Sequence, residues 1–61
     1  MKERHFLFQD TVSGEEFIVG ANNLAAARQL SFHVSDAPNW RPKFICELSE
    51  LEAEISGLDE Y

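Results

Sequence analysis

Apolar residues alternate with polar ones in "HFLFQ", residues 5–9, where Phe6 and Phe8 point to one face and His5, Leu7 and Gln9 to the other. That period of two predicts a β-strand. "DTVSG" follows, with Asp first and Gly last, a turn composition. "EEFIVGA" then predicts a second strand with Phe17, Val19 and Ala21 on one face. A five-residue connection containing Gly between two apolar runs predicts a hairpin.

The period changes at "NNLAAARQLSFHVS". Asn22 or Asn23 suits a helix N-cap, and the three alanines are strong helix formers. Leu24, Ala27, Leu30, Ser31 and Val34 fall on one stripe at helical spacing. Phe32 lies outside it: either the helix ends near Leu30, or Phe32 is partly exposed. "DAPNWRPK" reads as a loop, because the residue before each proline is pushed out of helical geometry. "FICELS" predicts a third strand, with Phe44, Cys46 and Leu48 on one face and Ile45 and Glu47 on the other. A last helix is predicted from about Ser49 to Ser56, where Ser49 and Glu52 form a capping-box pair and Gly57 serves as a left-handed end. Leu51 and Ile55, four apart, are the stripe by which it is expected to dock.

The order is β-β-α-β-α in a single domain, residues 1–61. The first strand is apolar on both faces at Phe6, Leu7 and Phe8, which suits a central position. The expected fold is α+β: a three-stranded antiparallel sheet in spatial order 2-1-3. The first helix should lie on Phe6, Phe8, Phe17, Val19, Phe44 and Cys46, with Leu30 buried among them, and a short acidic helix should close the chain.

Composition agrees with a folded domain: 44% hydrophobic, with five Phe, is too apolar for a disordered segment. A core this thin would gain from a partner, and a homodimer is one way to supply it. Cys46 is the single cysteine, so no internal disulfide forms. The opening apolar stretch is too short for a signal peptide or a membrane span, and a cytoplasmic location is expected by default.

Charge changes the picture more. Residues 1–46 carry five acids and five bases; residues 47–61 carry six acids and no base, so the whole net charge of −6 belongs to the last quarter. Phosphates would be repelled there, which argues against direct nucleic-acid binding. Glu50 and Glu52 have a local reason, since a helix N-terminus favours anions. Glu47, Glu54, Asp59 and Glu60 are left without one.

Other chemistry is weakly indicated. His5, His33 and Cys46 show no metal-ligand spacing, so neither metal nor cofactor is expected. "SFHVSD" holds Ser31, His33, Ser35 and Asp36, but residues two apart on a helix do not face each other, and no enzyme activity is expected. Trp40 and Arg41, in "PNWRP", are residue types common at interface hot spots. The plainer reading of Trp40 is a lid over a small core.

Two stretches, "VGANNLAAA" (nine residues) and "SELEAEISGLD" (eleven of the 61), resemble short reading frames carried by phages and prophages of low-GC Gram-positive bacteria. The resemblance implies a setting in which small acidic proteins bind host proteins, and it assigns no functional residue. The acids serve solubility first, docking of a basic partner second and mimicry of nucleic-acid phosphate third. The expected function is therefore a non-enzymatic protein-binding module with a basic protein partner. Its candidate contacts are Glu47, Glu54, Asp59, Glu60, Trp40 and Arg41. The alternative is an inhibitor of a nucleic-acid enzyme acting by charge mimicry.

Overall fold

The computed structural model describes residues 3–61. Strands β1 (Arg4–Asp10), β2 (Glu16–Ala21) and β3 (Pro42–Leu48) form one antiparallel sheet in the order β2-β1-β3. Helix α1 (Leu24–Ser31) connects β2 to β3, and α2 (Glu50–Ser56) follows β3. The domain is α+β, as the alternation of periods predicts.

The hairpin is closed by backbone and side chain together. Gly14 N–H donates to the Asp10 carbonyl at 2.8 Å, and Gly14 adopts a φ of 81°, which a residue with a side chain rarely takes. The Asp10 carboxylate accepts from Ser13 N–H at 3.0 Å and Ser13 Oγ at 2.8 Å. It also accepts from Arg41 N–H at 3.0 Å, across 31 positions of chain. Thr11 adds two bonds to the Arg41 carbonyl, from its N–H and its hydroxyl, each 3.0 Å. The turn residue Asp10 thus also fixes the start of β3.

One face of the sheet carries the core. Phe6, Phe8, Phe17, Val19 and Ala21 are buried there with Ala27 of α1. The rings run in contact from Phe6 to Phe44, Phe8, Phe17 and Trp40, with centroid spacings of 5.3 to 6.2 Å, and Tyr61 meets Phe17 edge-on at 5.9 Å. Offset and edge-on pairs of this kind add to their area burial. Asn23 caps α1, its side-chain oxygen accepting from Ala26 N–H at 2.8 Å.

Four expectations about packing are corrected. Leu30 is exposed: Ala27 and Ser31, one turn apart and small, face the sheet and let α1 approach the phenylalanines, which turns Leu30 aside. Phe44 is only partly buried, because β3 is an edge strand. Cys46 is exposed and lies off the α1 face, because a β-bulge sits opposite Leu7 and Phe8. Phe44 pairs with Phe8 and Cys46 with Leu7, so Ile45 is the extra residue and the alternation reverses after it. Leu51 and Ile55 do not dock α2; Ala53 does.

The opposite face is covered by α2 and the chain end. Ile18, fully buried, points there. Residues 59–61 lie parallel along the free edge of β2: Ile18 N–H donates to the Asp59 carbonyl at 2.9 Å, Tyr61 N–H to the Ile18 carbonyl at 2.7 Å, and Gly20 N–H to the Tyr61 carbonyl at 2.8 Å. Residues 59–61 therefore cover one sheet edge that would otherwise be free to pair with other chains.

Phe8→Ala is expected to cost about 3 kcal/mol or more, against a total of roughly 3–9 kcal/mol for a domain of this length, while Leu30→Ala costs less than about 1 kcal/mol. Denaturant unfolding of both variants checks the ordering. A second expectation concerns acid. Asp10 is lowered from 3.8 to about 2, chiefly by the Arg41 backbone N–H, then by the Ser13 hydroxyl and the Ser13 and Val12 amides, against opposing desolvation. A carboxyl with a lowered folded pKa stabilises above its unfolded value, so its contribution is complete above about pH 4 and is lost as pH falls toward 2. Unfolding measured across that window is expected to weaken for the parent, and Asp10→Asn is expected to be less stable at neutral pH with a flatter acid limb.

Candidate functional site

The residues singled out from the sequence divide into two groups at separate places. Glu54 and Glu60 share a hollow with His5, Glu50 and Ala53. Glu47 lies in the adjoining one, with Arg4, Leu48 and Ser49. Trp40 and Arg41 lie apart from these acids, in the loop before β3.

Each position follows from local structure. Ser49 caps α2: Glu52 N–H donates to its hydroxyl at 3.1 Å, and the Glu52 carboxylate accepts from Ser49 N–H at 2.9 Å. That reciprocal pair holds the Glu52 carboxyl below its usual range, the Ser49 backbone N–H contributing most. Gly57, at a φ of 73°, ends the helix and turns the chain toward β2. The tail pairing then brings Glu60 Oε1 to 3.5 Å from His5 Nδ1. That nitrogen is buried without a hydrogen-bond partner.

Glu47 has a partner that the strand pattern hides. The bulge carries it to the position opposite Phe6, on the Arg4 face, where Arg4 grips it with two nearly parallel bonds of 2.8 and 2.7 Å. The guanidinium also lies 5.1 Å over the Phe6 ring. Arg4 holds the Glu47 carboxyl below its usual range through those bonds. Asp59 contributes through its backbone, accepting from Ile18. Trp40 folds back as a lid: it stacks on Phe17 at 5.3 Å and donates its indole N–H to the Ser31 carbonyl at 2.8 Å. Arg41 is fixed by its backbone, and its side chain is exposed.

The most distinctive surface is not the one that helical spacing predicts. In α2, successive residues advance by about 100°. With Ala53 against the sheet, Leu51 and Ile55 occupy the outermost line of the helix, 66% and 74% exposed. Glu52 and Glu54 stand on either side of that ridge. The signal was present in the small side chain of Ala53, which lets the helix backbone come close where Leu or Ile would hold it away.

Ser31, Ser35, His33 and Asp36 do not converge. Ser31 Oγ donates to the Arg28 carbonyl at 2.6 Å, Ser35 Oγ accepts from Ala37 N–H, and His33 is exposed. Among the described residues, no three His, Cys, Asp or Glu side chains are grouped so as to hold a metal ion, and no helix is long and apolar enough to cross a membrane. Compared with protein-family models, curated proteins and solved structures, the chain finds no match in any of the three.

Ser49→Ala is expected to weaken α2 by about 1 kcal/mol. Faster amide exchange at positions 51–56, with exchange in β1 unchanged, is the expected observation.

Proposed function

We propose that the chain is a non-enzymatic module that binds a basic protein, through the outer face of α2. The observation that carries this reading is the exposed Leu51–Ile55 ridge between Glu52 and Glu54. An acidic face kept only for solubility has no use for two large apolar side chains at its crest. An apolar ridge in an acidic border suits a partner with an apolar groove rimmed by Lys or Arg, the mode in which a helix is laid into a groove. The two apolar anchors supply affinity, and the unbalanced charge of the last quarter steers the encounter. A mimic of nucleic-acid phosphate would need charge spread evenly, without an apolar crest. The phage-like setting suggested by the sequence is compatible with a host protein as the partner.

Leu51→Ser/Ile55→Ser is the test. Both side chains face solvent, so stability is expected to change by less than about 0.5 kcal/mol for each, read from thermal unfolding. A basic protein captured from the source cytoplasm by the parent is expected to be lost by the double variant, with a cost of about 2 kcal/mol or more in direct titration. Parent affinity is expected to fall with added salt, since exposed charges are screened within about 8 Å at physiological ionic strength. Equal binding by parent and variant, or insensitivity to salt, rejects the reading.

A further inference from the structure

The sheet has two outer edges, and they differ. That of β3 opens on Pro42, which has no amide to give, and the bulge at Ile45 breaks its repeat, so it is a poor place for a further strand. The edge of β2 is regular, and residues 59–61 fill it only in part. Ile18 and Gly20 turn their amides outward to those residues, and the alternation of the strand turns Glu16 the same way. Residues 59–61 engage the Ile18 amide and carbonyl and the Gly20 amide. Among the described residues, they donate nothing to the outward carbonyls of Glu16 and Gly20. The side chains repeat this partial fit. Glu60 and Tyr61 reach opposite faces of the sheet, as successive strand residues do. Glu60 Oε1 stops 3.5 Å from His5 Nδ1, a buried nitrogen with no hydrogen-bond partner. The Tyr61 ring meets Phe17 edge-on at 5.9 Å and stays 53% exposed. Gly57, at a φ of 73° with open space where a Cβ would stand, is the pivot from which the segment leaves α2.

We propose that the β2 edge accepts an extended segment of a partner protein, in which an acidic residue is followed by an aromatic one, and that residues 59–61 hold the site as an internal stand-in. The partner segment lies parallel to β2, as residues 59–61 do. A segment that continues on both sides of the acid–aromatic pair also donates to the Glu16 and Gly20 carbonyls. It therefore bonds along the whole strand, where residues 59–61 bond only in its middle. In strand addition the main-chain bonds give affinity and the alternate side chains give specificity. Here the aromatic ring packs on Phe17, and the carboxylate accepts from His5 Nδ1 in its N–H tautomer. The acid takes the place of Glu60, so the exchange adds no carboxylate beside His5, in the hollow that Glu50 and Glu54 also line. The site shares no residue with the Leu51–Ile55 ridge and stands independently of it.

The probe is the capped heptapeptide Thr-Val-Asp-Glu-Tyr-Thr-Val, titrated into the full chain and followed by amide resonances. It is expected to shift Phe17, Ile18, Val19 and Gly20 saturably, to move residues 59–61 to unpaired-chain positions, and to leave Leu51 and Ile55 unchanged. Tyr61→Pro removes both the amide bonded to Ile18 and the ring on Phe17. It is expected to bind the probe about tenfold more tightly, because an edge held by its own chain is open in only a fraction of molecules. Tyr61→Ala, which keeps the amide, is expected to change affinity in the same direction by less, and thermal unfolding checks that both variants stay folded. N-methylation at the tyrosine nitrogen of the probe is expected to abolish binding. Glutamine in place of its glutamate is expected to weaken binding to the parent and not to His5→Leu. Binding that leaves residues 59–61 in place, equal affinity of the parent and both Tyr61 variants, or undiminished binding of the N-methylated probe would overturn the proposal. So would dimerisation of Tyr61→Pro that excludes the probe, since it would assign the edge to a second copy.

Discussion

The Asp10 carboxylate is the constraint on which the arrangement of the sheet depends. It is almost wholly buried, and its oxygens accept from the amides of Val12, Ser13 and Arg41 and from the Ser13 hydroxyl. A buried charge is costly unless hydrogen bonds replace the water it loses, and here four donors do so. The same four bonds fold the hairpin and draw the loop after α1 to the end of β1. Because Arg41 immediately precedes β3, this contact sets where β3 begins against β1, and Phe44 is thereby placed opposite Phe8.

From that register follows the aromatic chain, which does for this short sequence what a larger core does elsewhere. A domain of 61 residues buries a small share of its surface, so a few large rings in mutual contact must supply much of the apolar burial. Small residues on the helices complete the packing: Ala27 and Ser31 let α1 approach one face, and Ala53 lets α2 approach the other. Trp40 and Tyr61 close two sides, one from the loop and one from the chain end, both on Phe17.

Docking by alanine has an electrical consequence as well as a steric one. It leaves Leu51 and Ile55 outward among the acids of α2. Glu47 does not add to that charge, since its pair with Arg4 neutralises it, and Glu60 is drawn toward His5 by the tail.

Much of the fold was legible in the chain. Periods of two and of 3.6 located the three strands and two helices, the apolar faces of the first strand gave its central place, and Ser49, Glu52 and Gly57 marked both ends of α2. These are local matters, decided by backbone geometry and by residues within one turn of each other. The candidate site was less legible. Nothing near Glu47 in the sequence compensates its charge, and the spacing of Leu51 and Ile55 predicts a docking stripe. Only the tertiary structure decided those points, for one physical reason. Which face of an element is buried depends on how closely its neighbour can approach, and so on partners distant in sequence. The bulge at Ile45 turns Glu47 to Arg4, 43 positions away, and Ala53 turns Leu51 and Ile55 to solvent. Likewise residues 59–61 bridge to β2 because its free edge had unpaired amides to offer, which nothing in their own sequence announces.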